Sequence, residues 1–168
     1  MKRRSTPDRR PTYSEVGATA GELPAGYDHV RRSRVVGRGE AVFLAAADAV
    51  SSWDLHRRAG IGVTATTPRA AAGSRVTLRL GTGPLHLDAS CAVVYVVDEP
   101  RRRGFAYGTL PGHPERGEEL FCVEWLDDDT VVLSVTAFSR PATWWSRAGA
   151  PLARAVQRRV TDRYLNAL

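Results

Sequence analysis

The chain has 168 residues, 43% hydrophobic and 25% charged, which excludes a disordered polymer and suits one domain with its own core. No apolar run approaches the ~20 residues of a membrane helix, and none follows the basic start as a secretory signal requires, so a cytoplasmic protein without a membrane span is expected. The net charge of +6 invites a nucleic-acid reading, but Lys2, Arg3, Arg4, Arg9 and Arg10 against Asp8 put +4 in the first ten residues and leave the body only +2, which argues against a specific nucleic-acid surface.

Residues 1–11 are polar and basic and read as a disordered tail; residues 12–168 read as a single domain. Residues 13–26 hold Gly17, Gly21, Pro24 and Gly26 with little periodicity, which predicts an irregular segment laid over the domain. A strand follows over 29–36, broken by Gly37 and Gly39. A helix over 40–52 carries Val42, Ala46, Ala49, Val50 and Trp53 on one stripe. A short second helix over 53–59 should end at Gly60 and form a V with the first.

From Ile61 the period changes to two. Val63 opens a strand over 63–67, and Val76, Leu78 and Leu80 alternate with Arg75, Thr77 and Arg79. After the turn 81–84, Leu85, Leu87, Ala89, Cys91, Val93, Tyr95 and Val97 share one face of a long strand. Strands over 104–109, 119–126 and 130–139 complete the run, the last two joined by a hairpin at Asp127-Asp128-Asp129. Pro141 ends the last strand, and residues 143–168 form a long helix with Trp145, Ala148, Leu152, Ala155, Val156, Val160, Tyr164 and Leu168 on its apolar stripe.

This order predicts an α+β helix-grip fold: a curved antiparallel sheet of about seven strands wrapped around a long C-terminal helix, with two short helices after the first strand. A cavity remains where helix and sheet diverge. Cys91 and Cys122 lie in apolar strand text as free thiols, and no His or Cys spacing suits a metal, so neither a metal nor a cofactor is expected. The oligomeric state is not legible.

Four blocks carry a resemblance: YSEVGATAGELPAG (13–26), YGTLPGHPERGEE (107–119), AFSRP (137–141) and the ending around Gln157 and Tyr164. Together they resemble the family of unknown function DUF1990 over residues 12–168, the second block most specifically. The resemblance implies the START-like, pollen-allergen-like (SRPBCC) superfamily, whose members bind or transform lipids, polyketides and hormones. Family members usually read Pro-Cys-Arg where this chain has Ser90-Cys91-Ala92, so a role for that Arg does not carry over.

The block 108–119 is the foremost candidate site. Pro111, Gly112, Pro114 and Gly117 fix an irregular path, and rigid loops on a β scaffold commonly carry binding groups. By alternation Glu119 joins the inward face of Phe121, Val123 and Trp125, while Glu118 points away. The competing reading is a self-capped loop with Glu119 paired to an Arg. Trp53 and His56 lie at the helix junction, which in helix-grip proteins borders the pocket entrance.

The leading function is binding of a small, largely apolar molecule by an intracellular carrier or sensor, with Trp53, His56, Tyr95, Tyr107, Phe121, Trp125 and Arg116 as ligand contacts. The alternative is an enzyme of the same fold, a cyclase, dehydratase or hydrolase of polyketide-like compounds, with Glu119, His113 and Tyr107 as acid/base groups. A protein-interaction module with a filled core is the third reading.

Overall fold

The computed structural model describes residues 10–142 and 150–168, and side chains of the last helix from Arg154 onward. The predicted tail therefore lies outside the described residues up to position 9, and so do Trp145, Ala148 and the side chain of Leu152. Thr12, placed at the domain edge, is anchored: its backbone N–H donates to the Thr109 carbonyl at 3.0 Å.

A short 3₁₀ turn (Ala18–Ala20) precedes β1 (Asp28–Arg38), α1 (Glu40–Ser51), α2 (Asp54–Arg58), β2 (Gly62–Ala65), β3 (Arg75–Thr82), β4 (Leu85–Glu99), β5 (Arg102–Thr109), β6 (Glu115–Trp125), β7 (Thr130–Pro141) and α3 (Ala150–Leu165). All seven strands form one sheet in the order β1-β7-β6-β5-β4-β3-β2, every described pairing antiparallel. This is the helix-grip architecture, an open sheet gripping a terminal helix.

Two register details differ from the sequence reading, and both bear on the site. In β4, Val93 pairs with Tyr107 but Tyr95 pairs with Ala106, so a bulge at Val94 interrupts the alternation. Tyr95 and Val97 therefore join Ala106, Leu120 and Cys122 on the convex face, whereas strict alternation placed them with Cys91 and Val93. The inserted residue bends the strand, as a sheet this curved requires. The second difference is at β6, which begins at Glu115, four residues before the predicted start at Glu119. The irregular connection shrinks to residues 110–114, closed by a turn in which His113 N–H donates to the Leu110 carbonyl at 3.1 Å.

The concave face is divided. One half is filled by α1, α2 and the residues joining them, where Phe43, Ala46, Val50, Trp53 and Leu55 pack with Phe105, Phe121, Val123, Val131 and Leu133. Trp53 sits between the helices with φ 67°, a left-handed conformation held because its side chain is wholly buried and its ring meets Phe105 edge-on at 4.9 Å. The other half is spanned by α3. Its Tyr164 and Leu165 are buried, Val160 is half-buried, and Ala155 is exposed. Val156, predicted as core, is 46% exposed. The helix is thus seated by its C-terminal turns and lies farther from the core toward its N-terminal end. No described helix is long and apolar enough to cross a membrane.

Candidate functional site

Between α3 and the open half of the sheet lies a cavity of about 400 Å³. Leu78 and Leu80 of β3 and Leu87, Ala89 and Cys91 of β4 form an apolar wall, which Val156 and Val160 of α3 extend. Polar groups gather where β5, β6 and β7 meet the helix: Tyr107, Thr109, Glu119, Ser139, Gln157 and Thr161. Burial pushes the Cys91 thiol well up, so it stays protonated.

Glu119 faces Tyr107 across the β5–β6 pairing, and the Tyr107 hydroxyl donates to its Oε2 at 2.8 Å. No cation pairs with it among the described residues. Burial raises the Glu119 carboxyl to about 7; the Tyr107 hydrogen bond lowers it somewhat, and the Glu115 charge raises it. Burial drives the phenols of Tyr107 and Tyr164 far up, with the Glu119 charge acting in the same direction. The cluster thus joins phenols that keep their protons to a carboxyl that can give or take one near neutrality.

The remaining predicted site residues divide sharply. His113 lines the cavity, but its Nδ1 accepts from the Glu115 backbone N–H at 3.0 Å, and burial lowers it to about 4. It is therefore a neutral ring held by its own loop, and no bond to Glu119 is formed. Arg116 is an exposed β6 residue pairing with Arg140 and does not line the cavity. Trp53, His56, Phe121 and Trp125 also fall outside the lining, because the helix pair packs onto the sheet instead of framing an entrance. Trp125 stacks on Phe43 at 6.1 Å at the far end of the concave face. His56 is wholly buried, its ring 4.8 Å from Phe121 and 4.9 Å from Tyr164, with neither nitrogen hydrogen-bonded to a described residue. Burial lowers it to about 3. Tyr95 lies on the convex face, its hydroxyl 2.8 Å from Thr19 Oγ1. Glu115, Gln157, Thr161 and Tyr164 line the cavity without having been singled out as site residues. Two-residue alternation back from Glu119 reaches Glu115, and the helical stripe through Val160 reaches Tyr164.

Glu118 shows what the rest of the signature block does. It points to the convex face, where its Oε2 accepts from the Tyr13 hydroxyl at 2.6 Å and the Gly17 N–H at 2.7 Å. Its Oε1 accepts from the Thr19 N–H at 3.1 Å and the Thr19 hydroxyl at 2.5 Å. The segment 13–26 is thus clasped to the sheet by one carboxylate. Gly108 is required beneath it, since a Cβ there would lie 2.1 Å from the Tyr13 hydroxyl oxygen. Two distant sequence blocks are therefore one structural joint.

The same blocks decide the family. Residues 12–167 match the family model described as "Domain of unknown function (DUF1990)". The chain belongs to the DUF1990 family. A Deinococcus radiodurans relative, a UPF0548 protein, is 36% identical over 176 residues, covering 96% of this chain and 87% of its own. Among solved structures, a hypothetical protein of Helicobacter pylori is similar with a TM-score of 0.63 and 12% identity over 83% of this chain and 84% of that one. Norcoclaurine synthase of Thalictrum flavum, solved with dopamine and hydroxybenzaldehyde, gives 0.53 and 13% over 83% and 85%. Ginseng major latex-like protein 151 gives 0.51 and 13% over 84% and 98%. At these identities the structures share the fold alone. In this DUF1990 chain Ser90-Cys91-Ala92 leaves the cavity wall intact. Cys91 faces inward, while Ala92 pairs with Gly108 on the convex side. No group of three or more His, Cys, Asp or Glu side chains poised for a metal occurs among the described residues.

Proposed function

We propose that this DUF1990 protein binds a small, largely apolar molecule between α3 and the open half of the sheet. The observation that carries the reading is the cavity of about 400 Å³, apolar along β3 and β4 and polar at one end. Its size falls within the ~300–1,000 Å³ of small-molecule sites, and a few convergent polar groups on an apolar wall are what fix a ligand's orientation. The open volume also argues against a pure interaction module with a filled core. The test is native mass spectrometry of freshly purified protein together with titration by the neutral fluorophore N-phenylnaphthylamine. Wild type should bind the fluorophore, and Ala137→Trp, which fills the cavity from β7, should not. Equal binding by a folded Ala137→Trp variant would remove the reading.

A second reading, catalysis by general acid/base transfer on a polyketide-like compound, is favoured by one observation: Glu119, held near 7, sits on the cavity with a phenol as its only partner among the described residues. Glu119→Gln keeps the shape and cannot exchange a proton. It should abolish turnover of a substrate found by screening while leaving fluorophore binding intact; unchanged turnover would exclude Glu119 as the acid/base group.

A further inference from the structure

We propose that the cavity selects an apolar molecule carrying a protonated amine, with the ammonium seated against Glu119. The proposal rests on the reading of the cavity as a binding site and adds the charge of its occupant.

The titratable residues on the described lining are Cys91, Tyr107, His113, Glu115, Glu119, Tyr164 and Glu118, whose carboxylate oxygens are both engaged in the convex clasp. No Arg or Lys lines the cavity among the described residues, although the chain carries 24 of them. Arg154 and Arg158 of α3, beside the cavity-lining Val156 and Gln157, instead face a separate cleft against β1, where Arg154 pairs with Asp28 at 3.2 Å. Arg154 and Arg158 thus turn away from the cavity, to which the described helix offers Val156, Gln157, Val160, Thr161 and Tyr164.

The consequence for a guest follows from its charge. A carboxylate or phosphate entering the cavity would meet Glu119 and Glu115 with no counter-ion on the described walls, and like charges at short range in a poorly hydrated space repel strongly. A neutral guest gains hydrogen bonds only. An ammonium supplies the cation that Glu119 lacks and forms a charge-assisted hydrogen bond to Oε1, which bonds to no described residue, while Tyr107 keeps Oε2.

Amine binding is then linked to ionisation of Glu119. The groups facing that carboxyl are Tyr107 from β5, Cys91 from β4, Glu115 from β6, His113 from the loop and Tyr164 from α3, with His56 of α2 behind the two tyrosines and the neutral Ala137 opposite on β7. Burial raises the Glu115 carboxyl, Cys91 and both phenols keep their protons and His113 is neutral, so Glu119, at about 7, is the group that changes charge near neutrality. Pairing with an ammonium therefore drives a proton off Glu119.

Calorimetry with three matched naphthalenes, naphthylethylamine, naphthylethanol and naphthylacetate, tests this at pH about 8. The amine should bind at least about tenfold more tightly than the alcohol, and the acid more weakly than either. The Glu119→Gln variant should bind amine and alcohol alike. In wild type the amine's affinity should fall about tenfold between pH about 8 and about 6 while the alcohol's holds, a readout that needs no variant. Equal binding of amine and alcohol, preference for the acid, or an amine preference that survives Glu119→Gln would each overturn the proposal and leave cavity binding standing. Binding of none of the three would overturn both.

Discussion

Glu118 and Glu119 are adjacent, chemically identical and carried by one strand, yet they serve opposite faces of the sheet. Glu118 meets four donors from a segment about a hundred residues earlier, which satisfy both its oxygens. Glu119 meets one phenol and a cavity. The strand's alternation sends one to the clasp and the other to the open half of the concave face. What separates a structural carboxylate from a reactive one here is the supply of donors. Burial raises the Glu119 carboxyl to about 7, and its one described hydrogen bond, from Tyr107, offsets only part of that rise.

The comparison is tested most severely at the clasp. Glu118→Ala should cost about 3–5 kcal/mol, because the half-buried Gly17 N–H, the buried Thr19 N–H and the buried Tyr13 hydroxyl lose their acceptor. Urea melts would report it, and the melting temperature should drop by about 10 °C. Glu118→Gln should be nearly as damaging, since its NH₂ would confront donors. A loss under about 1 kcal/mol would show that the clasp does not hold the N-terminal segment.

Glu119→Gln should do the reverse. An acid whose folded value is about 7 against an ordinary 4.5 keeps its proton in the fold. Its contribution is complete below the ordinary value and is lost as pH climbs through the folded one. The variant and wild type should therefore match near pH 4.5, and the variant should become more stable above pH 7, by up to about 3 kcal/mol. Denaturant melts across that range would measure the gap, and a constant gap would place Glu119 in contact with water.

His56 sharpens the point, being buried with no described partner on either nitrogen. Its folded value of about 3 lies below the ordinary 6.5, so it must stay neutral and it weakens the fold as pH falls through 6.5. His56→Met should flatten that acid limb, gaining up to about 2 kcal/mol near pH 5 and changing stability at neutral pH by less than about 1.5 kcal/mol. An unchanged acid limb would mean that another group causes it. The smallest effect belongs to Val156→Asp: at 46% exposure it should cost at most about 1 kcal/mol in thermal melts, while weakening fluorophore binding at the cavity wall. Outright unfolding would mean that α3 packs more closely along its length.

Much of this was legible before any coordinates. The two-residue period from Val76 to Ser139 and the helical stripe ending at Tyr164 specify the strands and the terminal helix, since each periodicity is a local property of backbone geometry. Alternation also placed Glu118 and Glu119 on opposite faces correctly. It failed where the backbone departs from regularity: the bulge at Val94 inverted Tyr95, and the early start of β6 turned supposed loop residues into strand.

What the sequence determined by itself was therefore the order of elements, the family and the facing of residues within each unbroken strand. The tertiary structure alone decided which inward residues meet empty space. Phe121 and Glu119 share a face, but His56 of α2 and Tyr164 in the last turn of α3 cover the first, while α3, seated by its last turns, leaves the second at a cavity. It likewise joined Tyr13, Gly17 and Thr19 to Glu118 and left Glu119 with Tyr107. Burial and hydrogen-bond supply depend on elements far apart along the chain, and periodicity, which is local, carries no information about them.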